Sequence, residues 1–103
     1  MKWSTTPQFT HDWEKLPNEH RQLFRECVPG FSTACDAFLE SPESFRWPAR
    51  LRVKPMKSAP GVWEMTWSFS GPDGRATFEF VRRDAEVFVR WRRIGSHDVF
   101  GSP

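Results

Sequence analysis

Three side chains in the second half of the sequence have the chemistry of a proton-transfer site beside an anionic group. His97 is the only histidine after residue 45, and imidazole titrates near neutral pH, as a general acid or base requires. Arg75 carries a guanidinium, which can hold two phosphate oxygens at once and stabilise charge that develops on them. Glu64 supplies a carboxylate that acts as a base or holds an arginine in place. We therefore predict a candidate catalytic set of His97, Arg75 and Glu64.

Each of these residues also has a purely structural interpretation. His97 follows a predicted strand and also suits a turn in which its ring is hydrogen-bonded to the backbone. Arg75 also fits an exposed position in a turn. Glu64 also fits a cross-strand ion pair with Arg90 or Arg92. The residue pattern leaves both interpretations open for all three.

Positive charge is concentrated in the second half of the chain. Residues 1–45 contain four Lys or Arg against seven Asp or Glu, whereas residues 46–103 contain eleven against six. A basic sheet beside an acidic helical half indicates an anionic partner, although a solvated strand face with salt bridges gives the same pattern. The predicted RNA or phosphate contacts are Lys54, Lys57, Arg90, Arg92 and the stacking ring of Phe100. Phe100 also fits a residue that closes the core.

Apolar residues at helical spacing predict that the first half, about residues 9–40, is helical. The stripe consists of Leu23, Phe24, Cys27, Val28 and Phe31. Pro29-Gly30 should break or kink this helix. The pattern therefore predicts a helical hairpin or one kinked helix, followed by a connection at residues 41–50.

After residue 50 the hydrophobic period changes from that of a helix to that of strands. Trp63, Met65 and Trp67 alternate with polar residues, and residues 71–74 (Gly-Pro-Asp-Gly) predict a hairpin turn. In the last strand, Val89 and Trp91 share one face, whereas Arg90 and Arg92 share the other. Residues 51–94 thus predict a three- or four-stranded antiparallel sheet with Trp63, Trp67 and Trp91 in the core. The fold class is α+β, with a tail at residues 95–103.

Length and composition limit the other possibilities. A chain of 103 residues is expected to form a single domain. It contains neither a run of about 20 apolar residues nor a secretory leader, so we expect a cytoplasmic protein that does not bind a membrane. Cys27 and Cys35 are eight positions apart on a predicted helix, which separates them by about 12 Å and predicts free thiols. No cysteine–histidine spacing of a zinc site is present, and we expect neither a metal nor another cofactor.

Several motifs, in the predicted order of elements, resemble the RelE/ParE superfamily of toxins from bacterial toxin–antitoxin pairs. The ending Gly95-Ser96-His97 is the most specific of them and is similar to that of the YafQ-like branch and of some ParE-like toxins. The resemblance covers most of the chain. The other similar motifs are Phe9 with Trp13 and Leu16-Pro17, the strand Gly61-Val62-Trp63-Glu64-Met65, and the hairpin residues Asp73-Gly74-Arg75 with Phe78.

This resemblance implies a short first strand, a helical hairpin and an antiparallel meander, with a cognate antitoxin protein as partner. Members of the RNA-cleaving branch cut mRNA in the ribosomal A site without a metal. That activity implies His97 as the acid or base, Arg75 as the phosphate clamp, and the ribosome and mRNA as partners. Two alternatives stay open: a ParE-like inhibitor that binds DNA gyrase, and a RelE-fold protein that only binds its partner.

The chain also departs from the pattern of the superfamily. Met65-Thr66 follows Glu64 where several members carry an arginine. The sequence contains no tyrosine, so a tyrosine acid or base is excluded, and Phe100 stands near that place.

Overall fold

The computed structural model describes residues 1–67, 74–96, 99 and 101–103. Within them, two helices pack on a five-stranded mixed sheet, which confirms the predicted α+β class. The elements, in chain order, are β1 (Trp3–Thr5), α1 (Pro7–Lys15), α2 (Asn18–Glu40), a 3-10 turn (Ala49–Leu51), β2 (Lys54–Pro55), β3 (Trp63–Thr66), β4 (Arg75–Arg83) and β5 (Glu86–Gly95).

Local sequence explains where α1 begins and ends. The hydroxyl of Thr6 accepts a hydrogen bond from the amide of Phe9 at 3.1 Å, and Pro7 occupies the first helical turn, where its missing N–H costs nothing. Leu16 leaves the helical conformation because Pro17 follows it. A second helix can then start at once, which produces the helical hairpin.

α2 does not end at Pro29-Gly30 but continues through both residues to Glu40. Proline has no N–H, so the carbonyl of Arg25 does not receive the bond that residue 29 would otherwise donate. The hydroxyl of Thr33 donates to the carbonyl of Pro29 at 3.2 Å, which satisfies one acceptor of this turn. Of the two predictions for this stretch, the single helix is therefore the one observed, and the helical hairpin turns at Leu16-Pro17 instead of Pro29-Gly30.

The sheet contains more strands than the three or four that the pattern predicted. Its order is β1-β5-β4-β3-β2, and β2 to β5 form the predicted antiparallel meander. β1 adds a parallel edge strand, with Trp3 opposite Val89 and Thr5 opposite Trp91. A strand of three residues is too short for its periodicity to be recognised, which explains why the residue pattern did not reveal it.

Aromatic rings from α2 pack on one side of the sheet and form the core. The ring of Phe31 lies 4.9 Å from those of Phe78 and Trp91, measured between centroids. Trp67 and Trp91 are 1% exposed, as predicted, whereas Trp63 is half-buried. We call the opposite side of the sheet, turned away from α2, the open face.

A β-bulge in β5 changes which residues reach the open face. Phe78 pairs with Trp91 and Thr77 with Arg93, so Arg92 is an extra residue between them. Strict alternation from Trp91 would bury Arg93. Instead Ile94 is buried, and Arg92 and Arg93 both lie outside the core.

The close approach of Trp67, which follows β3, to Gly74, which precedes β4, depends on the glycine. The amide of Trp67 donates to the carbonyl of Gly74 at 3.1 Å. A Cβ atom at Gly74 would overlap the Trp67 ring, so only glycine allows this approach. The predicted turn at residues 71–74 lies outside the described residues except for Gly74.

A carboxylate on α1 fixes this helix to β5. Asp12 accepts hydrogen bonds from Arg93 at 2.6 and 3.0 Å and from the amide of Ile94 at 3.2 Å. The side chains of Asp12 and Arg93 are 10% and 22% exposed, so water screens the pair only in part.

We expect Asp12→Asn to lower the free energy of unfolding by about 2 kcal/mol, because it removes the charged acceptor that binds both Arg93 and the amide of Ile94 in a mostly buried place. Urea denaturation at neutral pH measures this change. Glu14→Gln is the matched control, because Glu14 is an exposed residue of the same helix and should tolerate the substitution. An equal decrease in the free energy of unfolding in the two variants would contradict this role of Asp12.

Candidate functional site

β4 and β5 place the predicted arginines and one unpredicted glutamate on the open face. Glu79 pairs with Arg90 in the β4–β5 register. Arg75 lies opposite Thr66 of β3 on one side and Gly95 of β5 on the other. The sheet thus orders these positions along two neighbouring strands.

Glu79 is the centre of an ion-pair cluster. Its Oε2 atom accepts from Nε of Arg90 at 3.1 Å and from an Nη atom of Arg92 at 2.9 Å. The Glu79 side chain is 19% exposed and each arginine side chain is 37% exposed. One carboxylate therefore holds two guanidinium groups in fixed positions at the surface.

The environment of Glu79 favours its charged form. Partial burial raises the pKa of its carboxyl, but the hydrogen bonds from Arg92 and Arg90 outweigh this, and the net pKa is below the ordinary value. The carboxylate is therefore ionised at neutral pH and keeps both arginines paired.

Glu64 does not pair with Arg90 or Arg92, and that interpretation was wrong. β4 lies between β3 and β5, so Glu64 is opposite Lys54 of β2 and Thr77 of β4. Its carboxylate is 3.4 Å from Nζ of Lys54, and its side chain is 13% exposed. Glu79, on the strand adjacent to β5, makes the pair that we had given to Glu64.

Arg75 and the two predicted lysines occupy different surroundings. Arg75 is half-buried, and one of its Nη atoms donates to the carbonyl of Gly74 at 3.3 Å. Lys54 is exposed on β2 at the sheet edge, and Lys57 is exposed in the connection between β2 and β3. The lysines are accessible to a polyanion from solvent.

The end of the chain folds back onto the open face. The hydroxyl of Thr77 and Nε of Arg92 donate to the carbonyl of Pro103 at 3.1 and 2.9 Å. An Nη atom of Arg93 donates to the carbonyl of Ser102 at 3.1 Å. Thr77 is fully buried. Arg92 and Arg93 of β5 therefore bind the tail as well as the carboxylates of Glu79 and Asp12.

His97 and Phe100 lie outside the described residues, so the placement of His97 beside Arg75 and the stacking role of Phe100 stay predictions. The chain on either side of residues 97 and 98 is described. The amide of Val99 donates to the carbonyl of Ser96 at 3.2 Å, and Val99 is buried. Gly95, two residues before His97, lies opposite Arg75.

The described residues contain no group of three His, Cys, Asp or Glu that could hold a metal ion. Cys27 and Cys35 are both free thiols, as their spacing predicted. Burial raises the pKa of Cys35 to about 12, so this thiol is not a nucleophile at neutral pH. None of the described helices combines the length and hydropathy needed to span a membrane.

The residue pattern missed Glu79, Asp12 and Arg93 as organisers of the site. Glu79 was recognisable, because the alternation of residues along the strands puts it on the same face of the sheet as the predicted arginines. Its strand also directly precedes β5 in the meander. Ile94 was a signal for the bulge, because it is apolar three positions after Trp91 rather than two or four. The contact of Asp12 joins residues 81 positions apart and has no local signal.

We expect the Glu79 cluster to make stability depend on pH. Its pKa is lowered in the folded state, so its contribution is present above the ordinary value of 4.5 and is lost as pH falls through the lower, folded value. Urea denaturation of the wild type and of Glu79→Gln across this range measures the effect. The variant should show a flatter pH profile, and parallel profiles would contradict the assignment.

The comparisons with known proteins bear on the fold. No family model matches the sequence, and no curated protein matches it. A solved structure described as the YoeB/ParE toxin from Agrobacterium tumefaciens is similar, with a TM-score of 0.52 and 14% sequence identity over 94% of this chain and 99% of that chain. At this identity the likeness concerns architecture, and the chain has a RelE/ParE-like fold.

Proposed function

We propose that this chain is the toxin of a toxin–antitoxin pair and acts as a metal-independent, ribosome-dependent endoribonuclease on mRNA. The observation that carries the proposal is the arginine-bearing open face of a RelE/ParE-like sheet. A cognate antitoxin protein is the partner that keeps it inactive, and the ribosome with its mRNA is the target.

Cleavage of RNA without a metal needs three functions from side chains. A base activates the ribose 2′-hydroxyl, a cation stabilises the charge that develops on the phosphate, and an acid protonates the leaving 5′-oxygen. Arg75 is the proposed cation. His97 is the proposed acid or base, and the pairing of Gly95 with Arg75 supports a position for His97 near that arginine.

The remaining residues have proposed roles in binding. Lys54 and Lys57 are exposed and contact phosphates through charge alone. Arg90 and Arg92, oriented by Glu79, contact phosphates or ribosomal RNA with the guanidinium surface left by the ion pair. Glu64 orients Lys54, and Phe100 stacks on a base.

A second candidate function is a toxin that acts by protein binding, as a ParE-like inhibitor of DNA gyrase, or a partner-binding protein of this fold. The specific observation that favours it is charge pairing. Glu79 already binds Arg90 and Arg92, and Asp12 already binds Arg93. Such pairs suit a surface that recognises a protein better than one that must release its arginines to a phosphate.

Induced expression in a bacterial host, with growth, translation rate and mRNA 5′ ends as readouts, tests the first proposal. We expect the wild type to stop translation and to produce new 5′ ends within open reading frames. His97→Ala and Arg75→Ala should each reduce cleavage by about 10²-fold or more, the usual cost of losing an acid–base group or a charge-stabilising donor.

His11→Ala is the matched control, because His11 is an exposed histidine of α1 and should leave cleavage unchanged. Full toxicity of His97→Ala without new 5′ ends would reject the nuclease. Inhibition of gyrase supercoiling by the purified protein would then support the second candidate. Normal growth during expression of the folded wild type would reject a toxin role.

A further inference from the structure

An apolar groove lies between β1, α1 and α2, on the side of the molecule occupied by the helices. Its volume is about 450 Å³, and its lining includes Phe9, Trp13, Phe24 and Val28. Trp3 stands at the groove with 56% of its surface exposed. A large exposed ring beside an open apolar groove indicates an interaction site for another molecule.

β1 forms one wall of this groove and is an edge strand. Among the described strands it pairs with β5 alone, through bonds from the amide of Val89 to the carbonyl of Lys2 and from the amide of Thr6 to the carbonyl of Trp91, both 3.0 Å long. Because main-chain groups alternate in direction along a strand, those of Trp3 and Thr5 point away from β5. They are available to an added strand, while the side chains of the same two residues line the groove.

One arginine, Arg25, lines the groove, and a second, Arg21, lies beside it. The guanidinium groups of Arg21 and Arg25 lie 5.7 and 5.3 Å from the centre of the Trp13 ring. Arg21 is committed to the end of α1, since it donates to the carbonyls of Trp13 and Glu14 at 3.0 Å each. Arg25 is exposed, lines the groove and has no carboxylate partner among the described residues.

Pro29 of α2 also lines the groove. The groove therefore offers an apolar floor, two outward main-chain positions and a positive charge that no described carboxylate pairs, which together suit a polypeptide better than a lipid or a nucleic acid.

We propose that this groove docks an extended, acidic segment of a partner protein, which adds a strand to β1, inserts an apolar side chain beside Trp3 and meets Arg25 with a carboxylate. The partner's identity as the antitoxin rests on the proposed function. The site itself does not, because it follows from the shape, the edge strand and the charge of the groove.

A fluorescein-labelled synthetic peptide of alternating Leu and Glu residues is the probe, and fluorescence anisotropy with the purified full chain is the measurement. The matched peptide carries Lys at every Glu position. We expect the acidic peptide to bind at least about tenfold more tightly than the basic one, because only the acidic peptide complements Arg25. Failure of the acidic peptide to bind, or equal binding of both, would overturn the proposal.

Two pairs of variants test the two halves of the recognition. Arg25→Glu should weaken binding of the acidic peptide about tenfold or more, whereas Arg82→Glu, an exposed arginine of β4, should not. Thr5→Pro removes an outward N–H and should abolish strand addition, whereas Thr5→Val keeps that N–H and should bind. Thermal unfolding checks that each variant is folded. Equal affinity for the acidic peptide within either pair of variants would contradict the proposed binding mode.

Sedimentation of the purified chain identifies a competing occupant. A dimer that Trp3→Ser converts to monomer would show that a second copy fills the groove, and this would overturn the partner assignment. Peptide binding by a chain that has no effect on growth would retain the docking site and reject only the toxin role. Toxicity without peptide binding would reject the docking site and retain the toxin role.

Discussion

The contact of α2 with the sheet through Phe31 is the interaction on which the other positions depend. Its ring meets Phe78 of β4 and Trp91 of β5 at the same distance, so one side chain joins the helix to two adjacent inner strands. Three rings that bury roughly 150–250 Å² each supply a large part of the apolar burial available to a small domain. With this side of the sheet committed to packing, the polar residues of β3, β4 and β5 must face the other way.

The bulge at Arg92 then determines what the open face can present. A regular strand would give Arg90 and Arg92 to the surface and turn Arg93 toward α2. The extra residue lets Arg92 bind Glu79 while Arg93 binds Asp12. One irregularity thus links the arginine cluster on the sheet to the position of α1, and both to the tail that accepts hydrogen bonds from the same two side chains.

Periodicity was sufficient to predict the fold class, the helical first half, the antiparallel meander and the burial of Trp67 and Trp91. These features depend on repeated patterns over many residues, which a sequence displays directly. β1 and the bulge were not predictable in this way, because each consists of a few residues whose conformation is decided by distant partners. The predicted pairing of Glu64 was wrong for a related reason. Alternation along a strand predicts which face of the sheet a residue occupies, but only the order of strands in the sheet determines which residue lies opposite it. The joint action of Arg75 and His97 stays a prediction.

Pairing of β1 with β5 has a consequence for biosynthesis. The hydroxyl of Thr6 donates to the carbonyl of Arg92 at 2.8 Å across 86 positions, and β1 pairs with the last strand. During translation the residues of β1 are made before those of β5, so the edge of the sheet and the groove beside it form only after β5 has left the ribosome. A nascent chain whose β5 is still inside the ribosome therefore lacks that surface.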